Sequence, residues 1–169
     1  MKPNDVAQVC INGHLQNGSI TRFPQFRTNF CQRCGAKTIT ACKSCDWPIE
    51  GISEHAWTYS SGPYGPPRYC ENCGAPYPWT ATALAAAKEY ADTIEALSAT
   101  QKTELKETLE DLSRDTPRTP LAVTRFKKFT TEAAPVVKEM MTKFVVEFAT
   151  NAAKQLMAAE ADAHTLHYD

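Results

Sequence analysis

Seven cysteines and one histidine in the first half of the chain are spaced as four pairs of metal ligands. The pairs are Cys10 with His14, Cys31 with Cys34, Cys42 with Cys45, and Cys70 with Cys73. Two ligands that lie two to four residues apart can come from one tight turn, and tetrahedral zinc takes nitrogen and sulfur ligands in such pairs. The eight ligands therefore predict two structural Zn²⁺ ions, one bound by three cysteines and a histidine and the other by four cysteines.

The pairs can combine sequentially, cross-braced as in RING-type folds, or nested. Residues 30–36 (FCQRCGA) and 69–75 (YCENCGA) repeat the pattern aromatic-Cys-x-x-Cys-Gly-Ala, which indicates that each closes a ribbon. The segment KTIT at 37–40 is rich in β-forming residues and contains no turn residue. Turns are expected instead within each ribbon, at QNGS (16–19) and SGPYGPP (61–67). We therefore predict sequential pairing, in which the first two pairs bind one zinc and the last two bind the other.

Length and charge limit the classes of protein to consider. The chain has 169 residues and a formal net charge of −1, and its pI is about 6.4. This balance argues against a strongly basic nucleic-acid binder. No apolar run is long enough for a membrane span, and the first ten residues lack the apolar stretch of a secretory signal. We expect a cytoplasmic protein, where paired cysteines usually bind metal rather than form disulfides.

Composition divides the chain into two modules. All cysteines precede Trp79, whereas cysteine and glycine are absent from there onward. We predict a double zinc-ribbon module with rubredoxin-like knuckles at 1–78, a helical module of about four helices at 79–160 and a flexible tail at 161–169. The expected fold class is a small zinc-bound β module followed by an all-α region, and thus α+β overall.

Helix boundaries follow from capping residues. The helices are expected over about 81–97, over about 99–113, from Thr119 to an interruption at Pro135, and from there to about Ala159. Thr80 and Thr119 are the expected N-caps of the first and third helices, and Ser98 with Gln101 forms an S-x-x-Q capping box for the second.

The last helix carries apolar doublets every four residues, which indicates either a core helix or a surface for a partner. Aromatic residues of the ribbon module are further candidates for contacts with a partner. The candidate partner surface comprises Trp47, Trp57, Tyr59, Tyr64, Met140, Met141, Phe144 and Phe148.

Residues 6–130 resemble an uncharacterised bacterial family of small double-zinc-ribbon proteins with a helical region. The matching stretches are VCINGH, PQFRTNFCQRCGAKTITAC, YCENCGAPYPWT and DTPRTPLAVTRFKK. The resemblance implies the fold and the metal, and it implies no activity.

The predicted function is that of a non-catalytic interaction or adaptor protein with structural zinc ions. Its helical part would dock a protein partner or self-associate, and no membrane partner is expected. All cysteines are used as ligands, so none remains as a nucleophile, and we predict no enzymatic activity. One alternative is nucleic-acid binding, for which Arg118, Arg125, Lys127 and Lys128 form a candidate basic patch. A second alternative, a RING-like recruiter in a conjugation pathway, requires cross-braced zinc ions.

Overall fold

The computed structural model describes residues 5–52 and 65–159 of the chain. Within these residues a three-stranded antiparallel sheet precedes five α-helices, which is the α+β arrangement expected from the sequence. The chain divides into two compact units, Met1–Thr82 and Ala83–Asp169. None of the described helices has the length and apolar character needed to cross a membrane.

The sheet of the first unit is short, and its central strand is buried. Its strands are β1 (Gln8–Cys10), β2 (Leu15–Asn17) and β3 (Thr38–Ile39), in the spatial order β2-β1-β3. Val9 at the centre of β1 lies opposite Leu15 of β2 and Ile39 of β3. Strand β3 lies in the KTIT segment, so the chain passes between the middle cysteine pairs as a strand.

One expected turn is corrected by the structure. The chain reverses between β1 and β2 at Ile11–His14, where the Cys10 N–H donates to the His14 carbonyl over 3.0 Å, and not at QNGS. In QNGS, the Asn17 side chain accepts from the Ser19 N–H over 2.9 Å and turns the chain out of the sheet. Residues 61–64 of the second expected turn lie outside the described residues.

The second unit contains most of the helical structure and its own core. The helices are α1 (Pro78–Thr93), α2 (Ala99–Leu112), α3 (Thr119–Glu132), α4 (Pro135–Phe148) and α5 (Asn151–Ala159). Helix α3 packs against α2, α4 and α5. The fully buried side chains at this junction include Leu109, Leu112, Met141, Val145 and Phe148.

The N-termini of the helices follow the capping predictions in part. The capping box of Ser98 and Gln101 is confirmed, with both reciprocal hydrogen bonds present. Helix α1 begins at Pro78, before the predicted N-cap, because proline suits the first turn of a helix. Thr80 is buried inside that turn, and its hydroxyl has no hydrogen-bond partner among the described residues. The Thr119 hydroxyl caps no N–H of α3; it accepts from the Thr116 N–H and donates to the Arg114 carbonyl.

The helix expected from Pro135 to about Ala159 is two helices, so the described region has five rather than about four. Ala149 is extended, with φ −63° and ψ 145°, and ends α4. The Thr150 hydroxyl then accepts from the Ala153 N–H over 3.1 Å, and the Thr150 N–H donates to the Leu112 carbonyl over 3.0 Å. Thr150 is thus the N-cap of α5. Threonine is a common N-cap residue, but the regular apolar doublets favoured one continuous helix through this position.

Candidate metal centres

The Cys-x-x-Cys segments form three knuckles with the same backbone geometry. In each, the residue after the second cysteine donates its N–H to the carbonyl of the first cysteine, over 2.8 to 2.9 Å. That donor is Gly35, Asp46 or Gly74, each with positive φ (69°, 56° and 70°). A positive φ is readily adopted by glycine and tolerated by aspartate, which explains the residue types at this position. The backbone therefore orients both cysteines of each pair toward one point.

The first metal cluster comprises Cys10, His14, Cys31 and Cys34, whose ligand atoms all lie within 4.8 Å of one another. The Cys10 and Cys34 Sγ atoms are 3.8 Å apart. His14 Nδ1 lies 3.5 Å from the Sγ atoms of both Cys10 and Cys31. The imidazole therefore contributes its Nδ1 atom to this cluster.

The second metal cluster comprises Cys42, Cys45, Cys70 and Cys73, again with all ligand atoms within 4.8 Å of one another. The Sγ atoms of Cys42 and Cys73 are 3.8 Å apart, and those of Cys45 and Cys70 are 3.7 Å apart. The two clusters group the four ligand pairs sequentially. A RING-like cross-brace, which would interleave the pairs, is therefore not the arrangement of these eight ligands.

These separations fit a tetrahedral metal ion. Metal–sulfur bonds of about 2.3 Å in a tetrahedron place sulfur atoms about 3.8 Å apart, and a metal–nitrogen bond of about 2.0 to 2.1 Å shortens the nitrogen–sulfur edge to about 3.5 Å. A disulfide would instead require about 2.05 Å between sulfur atoms. All seven cysteines are free. Both donor sets can thus hold a metal ion with four protein ligands.

Amide side chains donate hydrogen bonds to the ligand sulfurs. Gln16 Nε2 lies 3.2 Å from Cys31 Sγ, and Asn12 Nδ2 lies 3.4 Å from Cys34 Sγ. In the second cluster, Asn72 Nδ2 lies 3.6 Å from the Sγ atom of Cys45. Such outer-sphere donors stabilise the thiolate form and orient the ligands.

The sequence reasoning missed these amides, although one signal was available. Asn12 and Asn72 both stand two residues after the first ligand of their pair. Each then donates to the second cysteine of the knuckle that faces it across the cluster. No comparable pattern marks Gln16, because its position depends on the pairing of β1 with β2.

Cys34 shows the effect of these donors on protonation. The Ala36 backbone N–H and the Asn12 amide lower the pKa of the Cys34 thiol to about 6. A lowered pKa favours the thiolate, which is the form that binds metal.

The aromatic members of the candidate partner surface are only partly described. Trp47 is half-buried, packs against the core of the first unit and donates its indole N–H to Glu71 over 2.8 Å. Trp47 therefore helps to cover the core of the first unit. Trp57, Tyr59 and Tyr64 lie outside the described residues.

The helical members of that surface are largely core residues, which corrects the prediction for two of them. Met141 and Phe148 are 0 % exposed and pack in the core of the second unit. Phe144 is half-buried, with its ring centroid 5.5 Å from that of Tyr90. Met140 is also half-buried. Met141, Val145 and Phe148 of α4 thus face the core, whereas Val136 and Val146 remain exposed.

The candidate basic patch is divided in the structure. Arg118 pairs with Asp111 through two nitrogens, at 3.0 and 3.2 Å. Lys127 donates to the Leu156 carbonyl over 2.9 Å. Arg125 and Lys128 line a cavity of about 490 Å³ together with acidic and apolar residues. The four cations therefore do not form one uninterrupted basic surface.

Comparison with known proteins identifies a family. Residues 3–157 match the model of a family described as an uncharacterized protein conserved in bacteria (DUF2321). Neither the curated proteins nor the solved structures contain a match to the chain.

Proposed function

The chain belongs to this uncharacterised bacterial family, as its knuckle sequences indicated, and we propose that it is a non-catalytic interaction protein whose two zinc ions are structural. The observation that carries the proposal is the closure of both clusters by four protein ligands at tetrahedral separations. A catalytic zinc site keeps a position open for water or substrate. Ligand sets of three cysteines with one histidine and of four cysteines are typical of structural zinc sites.

The small core of the first unit explains why structural metals are needed. Among the described residues of this unit, the core cluster contains, apart from ligand cysteines, the buried apolar side chains of Ala7, Val9, Ile49 and Tyr77. Trp79 covers this core, stacked on Tyr77 with ring centroids 4.8 Å apart. So few apolar side chains contribute little stability, whereas structural zinc binding supplies about 10–16 kcal/mol in small zinc domains.

We propose that the chain is not an enzyme because its cysteines, the strongest candidate nucleophiles, are used as metal ligands. Every cysteine of the chain belongs to one of the two clusters. His14 is also a ligand, and the remaining histidines lie outside the described residues. The described thiols are therefore committed to metal binding rather than to attack on a substrate.

The interaction role of the helical unit is supported by apolar side chains that its core leaves exposed. Val136 is 71 % exposed and Val146 is 52 % exposed, both on α4. Leu121 of α3 and Leu156 of α5 are also exposed. We propose that α4 uses Val136 and Val146 in self-association or in docking a protein partner.

Metal analysis tests the structural role of the ions. Native mass spectrometry of the purified full chain is expected to show two zinc ions per chain. Cys34→Ser and Cys73→Ser should each reduce occupancy at one site, and Ser44→Ala, an exposed change within a knuckle, should retain both ions. Substitution with Co²⁺ should give absorption bands of tetrahedral sites without a water ligand. Fewer than two bound ions, or a site with exchangeable water, would contradict the proposal.

Sedimentation analysis tests self-association through α4. A Val136→Glu/Val146→Glu double variant should self-associate more weakly than wild type, so that on dilution its oligomer dissociates at a higher protein concentration. The variant should keep both metal ions. Thr142→Glu changes an exposed polar position of the same helix and serves as the control. A wild-type chain that is monomeric at all concentrations would contradict self-association, and docking of a different protein would be the role that is left for α4.

A further inference from the structure

An exposed loop after β2 presents phenylalanine rings outside any core. We call residues 21–30 (TRFPQFRTNF) the phenylalanine loop. Phe23 is 36 % exposed, Phe26 62 % and Phe30 63 %. The rings of Phe23 and Phe26 lie 6.3 Å apart across a short 3-10 turn at Pro24–Phe26. Because Val9, Ile49 and Tyr77 fill the core of this unit, core packing does not account for these rings.

Polar side chains outside the phenylalanine loop hold its backbone in place by hydrogen bonds. The Asp5 carboxylate accepts from the N–H groups of Thr21 and Arg22, over 2.9 and 3.1 Å. The buried Asn17 side chain donates to the Phe23 carbonyl over 2.8 Å. Farther along, the buried amide of Gln8 anchors the loop to β1. The rings are therefore presented by an ordered backbone.

Gln8 of β1 makes the second anchor. Its side chain donates to the Thr28 carbonyl over 2.6 Å and accepts from the Thr28 N–H over 3.1 Å. Gln8 is only 5 % exposed. Burying an amide is favourable only when it is hydrogen-bonded, so both of its groups are used to fix the exposed loop.

The sequence around the loop is rich in cationic residues, and the acidic residue nearest to it in the structure, Asp5, is engaged by the N–H groups of Thr21 and Arg22. Residues 6–45 contain five Lys and Arg and no Asp or Glu. Arg27, Arg33 and Lys37 are exposed, and their side chains make no hydrogen bond or ion pair with any other described residue. Phe30 pairs with Lys37 across an antiparallel bridge, which places a ring beside a cation. The near-neutral charge of the whole chain therefore coexists with a local excess of exposed cations in residues 6–45.

We propose that the phenylalanine loop, with Arg27, Arg33 and Lys37, binds single-stranded nucleic acid, which names the partner class of the ribbon module and rests on the proposed interaction function. Exposed rings offer flat faces on which unpaired bases stack, and neighbouring cations neutralise phosphates. An acidic peptide would match the charge. However, peptide anchors usually enter pockets, whereas rings that are more than half exposed project into solvent.

Fluorescence anisotropy with the full-length, zinc-loaded chain tests the proposal. The probes are labelled oligouridine and oligothymidine of about 20 nucleotides, long enough to span several stacking sites. Wild type should bind at low salt. Phe26→Ala/Phe30→Ala should weaken binding by roughly tenfold or more, because stacking on both rings is lost. Phe26→Tyr/Phe30→Tyr keeps two stacking faces and should retain affinity.

The salt dependence and the controls separate stacking from general charge attraction. Arg27→Gln/Arg33→Gln/Lys37→Gln should reduce the slope of log affinity against log salt by about 2, since each phosphate contact to a single strand contributes about 0.7. Lys138→Gln, an exposed change on α4, should change neither affinity nor slope. The probe that binds with the higher affinity, oligouridine or oligothymidine, shows whether the preferred single strand is RNA or DNA.

Three results would overturn the proposal. They are absence of binding to both probes at low salt, binding unaffected by Phe26→Ala/Phe30→Ala, and ring-dependent binding of a polyglutamate peptide in place of the oligonucleotides. Native mass spectrometry of each variant counts its bound zinc ions, which separates a failure of the nucleic-acid proposal from a failure of the proposed structural role of zinc. A chain with two zinc ions and no oligonucleotide binding contradicts only the nucleic-acid surface, whereas a chain with fewer ions contradicts the structural role of zinc.

Discussion

The ligands of both metal clusters are positioned by their immediate neighbours. The residue after each Cys-x-x-Cys pair adopts a positive φ and closes the knuckle with one backbone hydrogen bond. Beyond the knuckles, amide donors such as Gln16 bring an N–H to a thiolate from another part of the chain. The metal affinity of a cluster should therefore depend on residues that do not contact the metal.

Gln16→Leu should weaken metal binding at the first cluster by about tenfold to a hundredfold, as loss of an outer-sphere partner does at other metal sites. Leucine keeps the size of the side chain and removes the donor to Cys31 Sγ. Competition with a chromophoric chelator measures the affinity of each cluster. Gln32→Leu is the control, because Gln32 is exposed within a knuckle and donates to no ligand sulfur. Equal affinities in the two variants would show that the Gln16 hydrogen bond does not stabilise the thiolate.

Helix ends decide how the apolar doublets of the helical unit are distributed. Extended geometry at Ala149 separates α4 from α5, and Thr150 starts the new helix with both its hydroxyl and its N–H hydrogen-bonded. The break lets α5 change direction and pack against α3. One continuous helix would have carried its apolar stripe around the axis, since a repeat of four residues exceeds the 3.6 residues of a turn.

Thr150→Ala should lower the free energy of unfolding of the helical unit by about 1 kcal/mol, the usual cost of removing an N-cap hydroxyl. Denaturant titration of the full chain, followed by helical circular dichroism, measures the change. Thr142→Ala is the matched control, because Thr142 is exposed within α4 and its hydroxyl only contacts the Lys138 carbonyl four residues earlier. That control should stay within about 0.5 kcal/mol of wild type. A similar effect of both substitutions would contradict the capping role.

The whole chain consists of two units that are stabilised in different ways. The first unit has a small apolar core and two metal clusters, whereas the second has a continuous core of 14 buried residues and no cluster among its described residues. The stability of the first unit should therefore depend on metal, and that of the second on apolar burial.

Complete removal of the metal with a chelator should unfold the first unit and leave the helices folded. Amide NMR spectra are expected to lose the dispersed signals of β1, β2 and β3, while signals from α2 and α3 persist. Restoring zinc should return the lost signals. Dispersed ribbon signals that survive in metal-free protein would contradict the structural role of the ions, and loss of the helical signals would show that the second unit depends on the first.

The ligand sets, their sequential grouping and the capping box of α2 could be predicted from the sequence because each depends on residues a few positions apart. The spacing of Cys31 and Cys34, for example, is itself the geometry of a knuckle. Other features depended on distant parts of the chain. Gln16 reaches Cys31 over a separation of 15 residues, and only the pairing of β1 with β2 places it there.

Burial was the property that sequence could not assign, because an apolar residue has the same identity in a core and on a surface. The doublets of α4 fitted either environment, and packing against α3 placed Met141 and Phe148 inside while Val136 remained exposed. Phe26 and Phe30 would ordinarily be assigned to a core. They are exposed because Val9, Ile49 and Tyr77 already fill the small core of the ribbons, and because Asn17 and Gln8 hold the loop outside it.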